Sequence, residues 1–128
     1  MSVRTNKSII EQDLQKLNEI IIDSIQDIKG KNITQLDLRS ISGAPAEFFI
    51  VCEGESSVQV SAIAGNIYKR INEELNTRPM NIEGKSKSNW VLVDYFNTVV
   101  HVFHPEARSF YNLEGLWNDA VVTTIENI

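Results

Sequence analysis

Two β-patterned runs separated by a short polar step constrain this chain more than any other feature. Trp90–Phe96 and Val99–Phe103 flank Asn97-Thr98, and valines recur at every second position, at 91 and 93 and again at 100 and 102. Successive side chains of a strand point to opposite faces, so this alternation predicts two half-buried strands. The polar step between them predicts a hairpin. A two-residue turn at Asn97-Thr98 sets Phe96 opposite Val99, Tyr95 opposite Val100, Asp94 opposite His101 and Val93 opposite Val102. One side then carries Val91, Val93, Val100 and Val102, as a helix-covered core face should. The other carries Trp90, Leu92, Asp94, His101 and Phe103.

The rest of the chain supplies what such a hairpin needs for cover. Ser8 and Glu11 have capping-box spacing, and Ile10, Leu14, Leu17, Ile21, Ile25 and Ile28 follow at steps of three and four. That periodicity predicts an amphipathic helix, with Lys29-Gly30 as its stop. Ile33–Arg39 alternates as a strand does, Ser40–Pro45 reads as a loop, and Phe48–Cys52 suits a strand buried on both faces. Ser56 and Gln59 form a second capping box. Val60, Ala64, Ile67, Ile71 and Leu75 then line one face of a long helix ending near Asn76. Pro79–Gly84 fits a short strand or an extended connection. Pro105 suits the first turn of a short helix, and Leu113–Ala120 a further helix or turn. The natural architecture is α/β, a mixed β-sheet with flanking helices in a single domain over 1–128.

Composition narrows the function classes. The 128 residues are 42% hydrophobic and 23% charged, the balance of a folded globular chain. A single cysteine, Cys52, leaves no intrachain disulfide and no zinc site of paired thiolates, and points to a reducing compartment. No apolar run reaches the roughly 18–20 residues of a membrane span, and Met1–Lys7 leads into an amphipathic pattern and not a signal-peptide block. The expected location is the cytoplasm. A net charge of −5 opposes broad binding along a phosphate backbone and suits a basic partner instead.

Catalytic constellations find little support. His101 and His104 lie three apart, on opposite faces of a strand, and so do not share a metal ion. Cys52 sits in an apolar run where thiols are inert, and Ser56 is explained by its capping role. Gly54-Glu55-Ser56 faintly resembles the start of a nucleotidyltransferase site. Neither Asp37-Leu38-Arg39 nor Asp94-Tyr95-Phe96 supplies the second acid that such a site needs for magnesium. The aromatic face of the hairpin has two readings. Asp94 and His101 could bridge at a sheet margin above a second core layer, or the aromatics could anchor a partner.

Several blocks together resemble one known family. Glu83-Gly84, Trp90–Tyr95, Val99–Phe103, Glu106–Tyr111 and Leu113–Trp117 are similar in order and spacing to the ribosomal silencing factor family, also called the Iojap family. Glu47–Ser56 and Ala62-Ile63-Ala64 extend the likeness, which covers about 37–117. At Glu47-Phe48 the family usually has aspartate-tyrosine, so the acid and the ring are kept and the phenol is lost. Gly115 stands where the family often has a larger basic residue.

The resemblance implies a nucleotidyltransferase-like fold without catalytic residues, hence a binding protein with no cofactor or metal. It implies binding to the large ribosomal subunit through its ribosomal protein fourteen, which blocks joining with the small subunit and lowers translation when nutrients are scarce. The alternatives are a residual nucleotide-binding enzyme of the nucleotidyltransferase type and a homodimeric scaffold. The partner-binding residues expected are Trp90, Asp94, Tyr95, His101 and Phe103 on the hairpin. Beyond it stand Arg108, Tyr111, Glu114 and Trp117.

Overall fold

The structure, a computed structural model, describes residues 7–128, with side chains described from residue 11 onward. The elements run α1 (Lys7–Asp27), β1 (Lys31–Asp37), β2 (Phe48–Glu53), α2 (Ser57–Leu75) and β3 (Asn81–Glu83). They continue with β4 (Trp90–Asp94), β5 (Thr98–Phe103), α3 (Pro105–Tyr111), α4 (Leu113–Leu116) and β6 (Val121–Thr124). Six strands form one sheet in the order β3-β4-β5-β2-β1-β6. Only β2 and β5 pair in parallel; the other neighbours are antiparallel. This is the mixed sheet with flanking helices that the hydrophobic periods predict.

Phe48 to Cys52 are buried without a break because β2 is central, with β5 and β1 at its sides and apolar layers on both faces. On one face α1 and α2 pack Ile21, Ile25, Ile63, Ile67 and Ile71 against Ile33, Ile50, Val91, Val93, Val100 and Val102. Each such side chain taken out of water contributes roughly 1.5–3 kcal/mol. The second face gathers Leu36, Leu38, Phe49, Val51, Val99 and Phe103 under Leu113, Ala107 and Trp117.

Both α-helix ends near the β2–α2 junction are tied together. Ser56 Oγ accepts from Gln59 N (3.1 Å), the expected cap. The Gln59 side chain reaches one residue further back than a capping box requires, accepting from Glu55 N (2.7 Å). Its amide donates to the carbonyls of Ile28 (3.0 Å) and Lys29 (3.2 Å) at the end of α1. The stop of α1 also differs from expectation. Lys29 takes the left-handed conformation, with φ +62. Gly30 serves closeness instead, since a Cβ there would lie 2.3 Å from Ile25 Cγ2. Ser8 already lies inside α1, which starts at Lys7, one residue ahead of the expected cap; the side chains of Ser8 and Ile10 are outside the described side chains.

The hairpin register corrects the sequence reading. Trp90 pairs with Phe103, Leu92 with His101, Val93 with Val100 and Asp94 with Val99. The tip is Phe96-Asn97, closed by Tyr95 N donating to Thr98 O (2.9 Å). Tertiary pairing explains the slip. Thr98 is drawn into β5 beside Phe48, and the Asn97 carbonyl accepts from the amides of Glu47 and Phe48 (2.9 and 3.0 Å). The Thr98 hydroxyl also donates to Asn18 Oδ1 on α1 (2.6 Å), both residues being buried. The shift is two residues and therefore even, so the valine and aromatic faces survive while the Asp94–His101 pair does not. A sixth strand also forms beyond Ala120, the last residue to which the sequence patterns assign an element: β6 pairs Val121–Thr124 with Asp37–Thr34.

A candidate docking face on the aromatic side of the hairpin

The observed register stacks Trp90 and Phe103 side by side across β4 and β5, with Leu92 and His101 in the next row. The Trp90 and Phe103 ring centroids are 5.0 Å apart. Tyr111 of α3 covers Trp90 from above at 4.4 Å. The arrangement depends on where α3 begins. Pro105 opens it, His104 is its N-cap, and the His104 amide donates to Asn89 O (2.8 Å) just ahead of β4. Asn112, at φ +44, ends α3 and starts α4, where its side chain accepts from Gly115 N (3.2 Å).

Arg108 locks this helical cap to the sheet. Its guanidinium donates to Glu53 (3.0 Å), to Thr34 Oγ1 (2.7 Å), to the Asn32 carbonyl and to Glu114, whose carboxylate also takes Nε (3.1 Å). The side chains of Arg108 and Glu53 are only 14% and 15% exposed. Burial tends to raise the Glu114 carboxyl pKa, but its bonds and attraction to Arg108 prevail and hold it below the usual range. Arg108 and Glu114 are thus a structural tie between α3, α4, β1 and β2.

The hairpin residues expected at a partner surface divide by burial. Trp90 is partly exposed. Asp94 is half-buried and acts in the turn, its Oδ1 accepting from Phe96 N (2.7 Å). Tyr95 lies on the valine side within the helix-covered core, 6% exposed, and its hydroxyl has no protein partner. Phe103 is fully buried. These two are packing residues as the chain is folded. His101 is 4% exposed; Nδ1 accepts the Trp90 indole N–H (3.1 Å) and Nε2 has no protein partner. Burial pushes the His101 pKa down to about 4, outweighing the nearby Glu114 charge.

Beyond the hairpin, Tyr111 is 48% exposed and Trp117 is half-buried with its ring edge-on to Phe49 at 6.1 Å. The most exposed apolar groups here, Phe110 (80%) and Leu116 (70%), were not among the expected site residues. A seven-residue helix has too few turns for a hydrophobic period to separate its inner from its outer face. Among the described residues no group of three or more His, Cys, Asp or Glu side chains could hold a metal ion. Burial lifts the Cys52 thiol to about 12 despite the Arg108 charge. No described helix is long and apolar enough to cross a membrane.

The model of the family described as Ribosomal silencing factor during starvation matches residues 11–128. The chain belongs to the ribosomal silencing factor family. A family member from Halalkalibacterium halodurans, named Ribosomal silencing factor RsfS, is 37% identical over 114 residues, or 89% of this chain and 96% of that protein. A crystal structure of a Chromobacterium violaceum protein superposes with a TM-score of 0.76 at 35% identity, covering 81% of this chain and 85% of that one. The mouse protein named Mitochondrial assembly of ribosomal large subunit protein 1 is 32% identical over 74 residues, which is 56% of this chain and 32% of its own length. Within the family likeness, Trp90–Tyr95, Val99–Phe103 and Glu106–Tyr111 build the stacked face, and Leu113–Trp117 closes its far side.

Proposed function

We propose that this chain is a translational repressor of the cytoplasm that binds the large ribosomal subunit through ribosomal protein fourteen. Occupying that surface excludes the small subunit sterically. The observation that carries this reading is the exposed apolar surface of α3 and α4: Phe110, Tyr111 and Leu116 stand in solvent, with Tyr111 between Phe110 and partly exposed Trp90. Exposed aromatics on a rigid support are what protein hot spots are made of. Membership of the silencing-factor family supplies the ribosome, and the name of the mouse relative the large subunit. A net charge of −5 favours encounter with a basic ribosomal protein. The function is regulation by occupancy, without chemistry.

Sedimentation of purified subunits tests this directly. Added protein should co-migrate with the large subunit and lower the yield of joined ribosomes. A Phe110→Ser, Leu116→Ser variant should bind at least tenfold more weakly, about 1.4 kcal/mol or more, with unchanged melting. Unaltered subunit joining at saturating protein would reject the reading.

A further inference from the structure

We propose that His101 is the positioning residue of the docking face, holding the Trp90 indole through its only donor so that Trp90 meets the partner as a rigid, purely apolar surface. This rests on the docking function proposed above. Tryptophan at an interface ordinarily offers a ring and an N–H, and the N–H seeks water or a partner's acceptor. Here the N–H is turned inward. Nε1 donates to His101 Nδ1 at 3.1 Å, while the indole is stacked on Phe103 at 5.0 Å and under Tyr111 at 4.4 Å. Ring contacts fix the in-plane orientation of an indole less sharply than a directional hydrogen bond does.

The bond sets the state of His101. An accepting Nδ1 places the imidazole proton on Nε2. That nitrogen is buried without a protein partner, in a ring lying edge-on to Phe49 at 4.6 Å. An aliphatic or phenyl side chain would fill this layer with no buried donor left over, so the layer by itself does not call for an imidazole. What the imidazole adds is an acceptor under Trp90. Protonation would turn Nδ1 into a donor facing another donor, and burial of His101 holds it neutral at physiological pH. Because the donor is used internally and Phe103 and Tyr111 lie against the ring, the partner's contact with Trp90 is apolar, not a carbonyl or carboxylate receiving the indole proton.

Indole N–H exchange, followed by nitrogen-15 NMR, reads the bond, and binding to purified large subunits reads the consequence. His101→Leu should lower protection of the Trp90 indole N–H at least tenfold and weaken binding about three- to tenfold. His101→Gln keeps an acceptor and should recover most of both. Trp90→Phe, which keeps a stacked ring and loses the donor, should weaken binding similarly, and adding His101→Leu to it should weaken binding no further. A further loss in that double variant, or unchanged indole protection in His101→Leu, overturns the positioning role. If the wild-type chain fails to bind large subunits, the docking reading falls and the role of His101 in docking falls with it, whereas an unprotected indole beside normal binding defeats this inference alone.

Discussion

Tyr95 shows how one hydroxyl separates packing from recognition. Its ring fills the core between the sheet and the helices, and its buried oxygen has no protein partner. Tyr95→Phe should therefore raise stability by about 1 kcal/mol, because a desolvated, unpaired polar group is removed. Tyr95→Ala should lower it by about 3–5 kcal/mol through the cavity it leaves. Urea unfolding measures both; a destabilised phenylalanine variant would reveal a hydrogen bond that the fold needs. His101 gives stability its pH dependence on this face. Its pKa falls from the usual 6.5 to about 4 on folding, so between those values the unfolded chain takes up a proton that the folded chain refuses. Stability is then full above pH 6.5 and lost as the pH falls toward 4, by on the order of 3 kcal/mol. Unfolding free energies of wild type and His101→Gln across pH 4–7 should diverge accordingly; parallel curves would mean that the imidazole is solvated.

At the scale of elements, the join between β3 and β4 depends on Gly84. Its φ is +87, a region that disfavours any Cβ, and a Cβ there would lie 2.0 Å from the Trp90 carbonyl oxygen. That obstacle is backbone and cannot swing aside. Gly84→Ala should cost about 2–4 kcal/mol and push β3 away from β4, with the β3–β4 amides losing hydrogen-exchange protection first. A variant within about 0.5 kcal/mol of wild type would show that the β3 edge adapts freely. The hairpin teaches the complementary lesson. Its two faces follow from alternation alone, but its tip is chosen by β2 and α1, through Asn97 and Thr98.

Across the whole molecule, one guanidinium joins two adjacent strands of the sheet to the helical cap. Arg108 holds Glu53 at the end of β2, Thr34 and Asn32 of β1, and Glu114 of α4. Arg108→Leu leaves two largely buried carboxylates facing an apolar side chain. Breaking a fully buried pair costs about 3–5 kcal/mol, and the partial exposure of Glu114 lowers the expected loss to about 2–4 kcal/mol. The loss should appear first as fraying of α3 and α4, read by hydrogen exchange at residues 105–117, and as weaker large-subunit binding. Uniform loss across the sheet would place Arg108 in the global core instead.

The local periods of the chain settled α1, α2, β2 and the two faces of the hairpin, because amphipathic spacing and capping residues act over a few positions and leave a readable trace. The ordered blocks from Glu47 to Trp117 also identified the family. Register, burial and pairing belonged to the tertiary structure. Nothing near Asp94 announces that its carboxylate serves the turn, and nothing near Arg108 announces Glu53, 55 positions away. Likewise, only the assembled sheet and its helices put Tyr95 inside, turned His101 toward Trp90 and left Phe110 and Leu116 in solvent. Those outcomes depend on which distant side chains arrive at the same place, and no local pattern encodes that meeting.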